Sequence, residues 1–263
     1  MATTILTRLP SPRMAKAELT HLERLVINMD TAAVQHSAYC AALSDAGADV
    51  IVLPALDDHP DCTFVEDVLV SLPELSILTL PGAVSRRGEV AVIEVALPAD
   101  RPVMRISPPG TLDGGDVLAI GRTLFVGRSS RTNDFAIGQM AEIVAAFGYK
   151  VFSVNVQGAL HLKTSVTALA PDLLLLNPDW TDMEAFAGYR HIMVAPDEPF
   201  AGNSMTVGGK IFMQSAHATT AKRVGAAGFD VALIDISEFA KAEAGLTCMS
   251  VVVAHQTPSP NGT

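Results

Sequence analysis

Five stretches of the chain repeat one hydrophobic grammar: an apolar strand, a loop, then a polar residue leading into a second apolar strand. The first is DVIVLP at 49–54, a loop through Asp61, and EDVLV from Glu66; the second is VMRIS at 103–107, a loop holding GTLDGG, and DVLAI from Asp116. KVFSVNV from Lys150, a loop holding His161, and TSVTAL from Thr164 form the third. HIMVAP from His191, a loop with Phe200, and NSMTVGG from Asn203 form the fourth; DVALIDI from Asp230, a loop to Cys248, and MSVVVA from Met249 form the fifth. Short apolar runs bounded by turn residues are strand signals, and a spacing of about 40 to 50 residues is that of repeat architectures. LLLL at 173–176, framed by Pro171 and Asn177, reads as one buried strand.

Between the strands the period becomes helical. Thr31 to Ala46 reads as a helix, with Asp30 able to cap it and Gly47 able to end it. A helix is expected after Ser85, and another after Asn133, where Ile137, Met140, Val144 and Phe147 recur at helical spacing before Gly148. Shorter helices are expected over Thr181 to Tyr189 and Ala218 to Ala227. Gly121-Arg122 and Gly208-Gly209 read as hairpin turns. The fold class is therefore α/β: five ββαβ-like repeats closing into a pseudo-symmetric ring. An open α/β sheet has the same element order, and order alone does not separate the two. One domain is expected over 1–255, followed by a polar tail at 256–263.

Composition narrows the function classes. With 49% hydrophobic and 17% charged residues among 263, the chain has material for a large core and is not disordered. Lys+Arg 18 against Asp+Glu 28 gives a net charge of -10, the wrong sign for a nucleic-acid footprint and the right one for attracting a cation into a cleft. Cys40, Cys62 and Cys248 are too few and too scattered for a disulfide framework, and no CxxC marks a zinc site. No run reaches the roughly 18 apolar residues of a membrane span, and MATTILTRLPSPRMAK lacks the apolar core of a signal peptide. A cytoplasmic protein is the expectation.

The reactive residues fall at one position of the repeat. Cys248, His161 and Asp113 lie in loops between the first strand and the following hairpin, as do Asp61, Glu66 and Asp67. In a ring those loops converge at one end of the axis. Cys40, inside AYCAAL, reads as a small buried hydrophobe, whereas Cys248 stands at a loop–strand junction and His161 between Leu160 and Leu162. Several carboxylates in one cleft raise one another's pKa and call for a cation; a guanidinium, planar and rich in donors, fits best. Against this stands the reading of LDGGD as plain turn chemistry and of the other acids as solvated loop residues. Arg86 and Arg87 in SRRGE and Arg131 in SSRTN are suited to an α-carboxylate.

The strings LPALDDHPDCTFVEDV, PGAVSRRGEV, LDGGDVL, LFVGRSSRTN, HLKTSVT and LTCMSVVV, in this order, resemble the dimethylarginine dimethylaminohydrolases of the guanidine-modifying pentein superfamily. The resemblance implies a five-bladed α/β propeller that hydrolyses Nω-methylated arginine to citrulline and a methylamine, with no cofactor and no metal. It implies Cys248 as nucleophile, His161 as general acid and base, and Asp113 orienting His161 and the guanidinium, where some relatives carry Glu. Glu66 and Asp67 match guanidinium-side contacts, Asp61 a contact toward the amino-acid end, Arg86 and Arg131 a carboxylate clamp, and Ala242 a backbone carbonyl for the substrate ammonium. The partner expected is a small guanidine amino acid, with no nucleic acid and no membrane; a homodimer is left open. Residues 10–28 match the family poorly where relatives form a lid, and Arg13, Met14 and Lys16 are the lid candidates there. Arginine deiminases and amidinotransferases tend to carry an acid after the His-Leu or His-Ile pair, where HLKT has Lys163. A deiminase, a catalytically silent propeller like the ribosome-binding anti-association factor, and a Cys/His/Asp metal site are the rival readings.

Overall fold

The computed structural model describes residues 3–99 and 101–253; the tail expected at 256–263 lies outside them. The strands assemble as separate three-stranded sheets arranged as the blades of a five-bladed propeller. They are β3 (Leu69–Ser71), β4 (Ser76–Leu78) and β5 (Val103–Arg105); β6 (Val117–Ile120), β7 (Thr123–Arg128) and β8 (Lys150–Asn155); β9 (Val166–Ala170), β10 (Leu173–Leu176) and β11 (Arg190–Met193). The fourth holds β12 (Met205–Val207), β13 (Lys210–Gln214) and β14 (Asp230–Ile234). The closing blade joins both ends of the chain: β15 (Ser250–Val253) pairs antiparallel with β1 (Thr3–Arg8), which pairs parallel with β2 (Ala48–Leu53). Among the described residues no helix is long and apolar enough to cross a membrane.

The four blades other than the closing one follow one rule. A tight hairpin joins inner and middle strands, and a crossover returns the chain to a parallel outer strand. Gly208 and Gly209, at φ +58 and +81, make the β12–β13 turn, a backbone shape whose twist matches a hairpin and that glycine adopts freely. The crossovers carry α1 (Met29–Asp45), α2 (Glu89–Glu94), α3 (Asp134–Ala145) and α4 (Ala218–Ala226). Asn133 caps α3 by accepting from Ala136 N–H, and Ile137, Met140 and Val144 are buried, as their spacing requires. Two expectations change. The cap of α1 is Asn28, whose side chain accepts from Thr31 N–H at 3.0 Å, and not Asp30. Residues 181–189 form successive i→i+3 turns, such as Phe186 N–H to Met183 O, and not a helix.

The apolar clusters lie between neighbouring blades and seal the ring. Leu75 and Ile77 meet Met140 and Val144; Val154 and Phe186 meet Leu174 and Leu176; Tyr39 and Leu43 meet Phe212 and Phe239. Middle strand β10 is buried throughout, whereas outer strands β2 and β8 are half exposed. The polar residues that lead each inner strand are not part of it. They sit in single helical turns, Val65–Val68, Gly114–Asp116, Leu162–Ser165, Pro199–Gly202 and Thr247–Met249, all ahead of the inner strands. This end of the ring therefore collects the N-termini of inner strands and, because middle and outer strands run parallel, the C-termini of both. The long segment after β1, residues 9–28, comes out at the same end.

Candidate active site

That end holds a pocket of about 370 Å³ reached by Asp61, Asp67, Asp113, Arg131, His161 and Cys248, with Arg86 and Ala242 also in its wall. They arrive on several inter-blade loops and crossovers, so residues as distant as Asp61 and Cys248 share one space. His161 is 4% exposed, and its Nε2 lies 3.0 Å from Asp113 Oδ2. A carboxylate only accepts, so Nε2 carries the hydrogen of this bond. Nδ1 is 3.7 Å from Asp67 Oδ1, beyond hydrogen-bond length, which leaves its proton available for transfer. Burial by itself pushes His161 down, but the charge of Asp67, the Asp113 bond and the charge of Asp116 together raise it to about 9. The shorter Asp at 113 still reaches the ring, because Gly82 N–H holds its other oxygen at 2.9 Å.

Asp67 is fixed by Arg86, which donates to its Oδ2, and by Gly115 N–H at 3.2 Å. His161 and Arg86 beside it hold this carboxyl below its usual range against the opposing effect of burial. Arg86 is itself 4% exposed and also donates to both Glu89 oxygens and to the carbonyls of Asp61 and Phe64. It is thus a strut of the acidic wall as well as a lining residue. Arg131 is only half buried and donates to Thr20 Oγ1 at 3.1 Å. Arg87 turns away to Pro81 O.

Cys248 keeps partial exposure, and its sulfur accepts from Gly245 N–H at 3.3 Å. Burial pushes its thiol pKa up, and the charges of Glu66 and Asp67 push it further, against Gly245 N–H and Lys163. The loop is braced from behind by Tyr39 of α1, which donates to Leu246 O at 2.9 Å. Cys62 is buried and Cys40 half buried beside Thr7, away from this pocket.

Glu66 does not line the pocket, which corrects its expected contact with a guanidinium. Its carboxylate accepts from Lys163 Nζ at 2.6 Å and Thr247 Oγ1 at 2.8 Å. These three residues border a separate cavity of about 740 Å³ between the inner strands, so the pair closes the floor between site and axis. Asp116 is likewise structural. It accepts from Ser129, Thr132 and Leu162 N–H, tying two loops to the turn that carries His161; burial raises it to about 6.

LDGGD is more than a turn. A Cβ on Gly114 would lie 2.1 Å from Glu66 O, and one on Gly115 would lie 2.6 Å from His161 Nδ1 and 2.9 Å from Asp67 Oδ1. Both glycines exist so that backbone can approach the site closely. Gly115→Ala is expected to turn the imidazole away and to lower kcat/KM about 10²-fold, with a smaller effect on Tm, checked by steady-state kinetics beside thermal denaturation.

Within residues 10–28, where the lid was expected, Glu18 lines the pocket, and the candidates Arg13, Met14 and Lys16 do not. Met14 is buried in the core and Arg13 pairs with exposed Asp58, whereas the residues over the pocket are Glu18 and its followers. Glu18 N–H donates to both oxygens of Asp61, and Ser85 donates to its side chain at 2.6 Å. Glu243, at φ +60, accepts from the backbone N–H groups of Thr20, His21 and Leu22. Three amides converging on one carboxylate latch residues 20–22 to the segment that leads to Cys248; no motif marks this, because the donors are main chain. Glu243→Ala is expected to raise KM about five- to tenfold with less effect on kcat, read from a substrate saturation curve.

A ring-end pocket with a cysteine, a carboxylate-bound histidine and acidic walls defines the guanidine-modifying class of pentein-fold hydrolases. No family model matches the chain. Its relatives do: it is 37% identical over 94% of its length, and 95% of the other's, to the N(G),N(G)-dimethylarginine dimethylaminohydrolase of Streptomyces coelicolor. It superposes on the dimethylarginine dimethylaminohydrolase of Pseudomonas aeruginosa, a cysteine-to-serine variant complexed with citrulline, with a TM-score of 0.92 at 31% identity, covering 96% and 99% of the two chains. A histidine-to-glycine variant of such an enzyme, in an adduct with S-methyl-L-thiocitrulline, matches with a TM-score of 0.90 at 31% identity over 96% and 100%. The chain belongs to the dimethylarginine dimethylaminohydrolase family.

Proposed function

We propose that this protein hydrolyses Nω-methylated L-arginine to L-citrulline and a methylamine through an adduct on Cys248. The observation that carries this is the imidazole held between two carboxylates in the pocket that Cys248 enters. Asp67 and Asp113 receive the guanidinium, Arg131 backed by Arg86 receives the α-carboxylate, and Asp61 with the Ala242 carbonyl receives the ammonium. The citrulline complex and the thiocitrulline adduct of the relatives support the same chemistry.

Each step follows from the charge states. In the free protein the thiol is neutral and His161 is protonated. A guanidinium about 4 Å from the sulfur is worth roughly 4 kcal/mol at an effective dielectric near 20, which offsets up to about 3 units of the thiol's pKa. The thiol releases its proton to solvent as the guanidinium binds, the thiolate attacks the guanidinium carbon, His161 gives its Nδ1 proton to the departing amine nitrogen, and the C–N bond breaks, leaving an S-linked thiouronium. Water enters, neutral His161 takes a proton from it, and the resulting hydroxide adds to the same carbon. The C–S bond then breaks and the carbinol O–H proton passes to the departing sulfur, releasing citrulline and restoring the neutral thiol.

The two titrations that frame catalysis are legible. Burial raises Asp61 to about 6, against Arg86 and the Glu18 N–H. Below that pH it is neutral and loses the substrate ammonium; above about 9 His161 loses the proton it must donate. A bell-shaped pH profile of kcat/KM with limbs near these values is expected, and Asp61→Asn removes the acid limb alone. A single flat plateau from pH 5 to 10 contradicts this assignment.

Citrulline release from asymmetric dimethylarginine, monomethylarginine and arginine tests the substrate class. Turnover of arginine alone makes the protein a deiminase. The metal alternative is addressed by the same ligands: Asp67, Asp113 and His161 offer atoms within 4.8 Å of one another, but as a hydrogen-bonded imidazolium cradle they already serve each other. Activity that falls with a chelator and returns with a divalent cation favours the metal reading.

A further inference from the structure

A second cleft, of about 660 Å³, shares Glu243 and Ala244 as a wall with the active-site pocket. Its body is apolar, built from Leu22 of the lid, Phe200, Ala240 and Leu246. Two of its polar side chains are engaged. Asn203 serves Lys163 O and Thr247, and the Glu243 carboxylate holds the lid amides. His217 is different: it is 8% exposed, it lines the cleft, and its Nε2 has no hydrogen-bond partner among the described residues. Burial lowers its pKa against the opposing charge of Glu198, so the imidazole is neutral. Apolar walls with one buried, unengaged polar atom among a few polar groups are the composition of a small-molecule site.

We propose that this cleft is an effector site for a small uncharged aromatic molecule with one hydrogen-bonding group, of the phenol or indole class. Its polar atom meets His217 Nε2 and its ring packs on Phe200 and Leu246. Phe200 is held edge-on by Trp180, with ring centroids 5.0 Å apart, and so presents a fixed aromatic wall. An anion is disfavoured by Glu243 and Glu198, and a cation finds no unengaged carboxylate.

Occupation of the cleft couples to catalysis through its walls. Leu22 belongs to the lid and is held by Glu243, while Gly245 N–H contacts the Cys248 sulfur. A molecule bridging Leu22 and 244–246 ties the lid to the nucleophile loop and favours the latched form, because a ligand shifts a population toward the state it contacts more.

The test uses the full chain, with indole and phenol as probes. Titration of histidine-¹⁵N-labelled protein is expected to give a saturable shift of the His217 imidazole. Alkylation of Cys248 by iodoacetamide is expected to slow about three-fold or more at saturation. Ala240→Trp, which fills the cleft from a half-exposed position, is expected to abolish both effects, and His217→Phe to weaken binding about five-fold. Neither readout needs substrate, so failure here is separate from failure of the hydrolase reading. No saturable shift with either probe, equal binding in Ala240→Trp, or an unchanged alkylation rate at saturation overturns the proposal.

Discussion

Cys248→Ser is expected to lower citrulline formation from asymmetric dimethylarginine by at least about 10³-fold while leaving substrate affinity within a few-fold. The hydroxyl is nearly isosteric, so the acidic walls and Arg131 still bind. It fails as a nucleophile because neither His161 nor Asp67 is free to act as its base. His161, raised to about 9, is protonated at neutral pH, and Asp67 is engaged by Arg86 and Gly115. A guanidinium can help a thiol ionise, but roughly 3 units do not reach an alcohol. The same reasoning sets the behaviour of the free enzyme: Cys248, pushed up by burial and then by Glu66 and Asp67, shows no inflection near or below neutral in the pH profile of its alkylation. Citrulline assay and substrate titration of the variant check the first expectation. Near-native turnover by Cys248→Ser eliminates the adduct.

His161→Gly is expected to lower turnover of methylated arginines about 10³-fold or more, because both halves of the reaction lose their proton carrier. Departure of an unprotonated amine is the harder half. An analogue with a thiolate leaving group needs no acid, so with S-methyl-L-thiocitrulline the variant is expected to form the adduct and then stall, having no base to activate water. Intact-protein mass spectrometry would find Cys248 modified in this variant and unmodified in His161→Gly/Cys248→Ser. Wild-type turnover by His161→Gly, or release of the adduct at the native rate, removes His161 from both roles. The Asp113 bond at 3.0 Å keeps His161 Nε2 occupied, while Nδ1 stays beyond hydrogen-bond length of Asp67.

The ring and the pocket were legible to different depths. Inner, middle and outer strands announce themselves because each is a short apolar run at fixed spacing, and LLLL at 173–176 is buried on both faces. The 181–189 segment misled because its apolar residues have helical spacing while its backbone closes only i→i+3 turns. Convergence of Cys248, His161 and Asp113 followed from their common place in the repeat. The division of labour among the acids did not: Asp61, Glu66 and Asp67 stand within seven residues, yet one faces the pocket mouth, one pairs with Lys163 at the floor, and one faces His161.

Pattern and motif determined the α/β repeat, the loop end where chemistry collects, and the excess of acids that seeks a cation, since periodicity and charge are properties of local sequence. Tertiary structure alone decided which carboxylate each cation meets, that Glu243 latches the lid through three amides, and that His217 Nε2, at a second cleft, has no hydrogen-bond partner among the described residues. Those outcomes depend on main-chain groups and on side chains from separate blades, whose meeting no local pattern records.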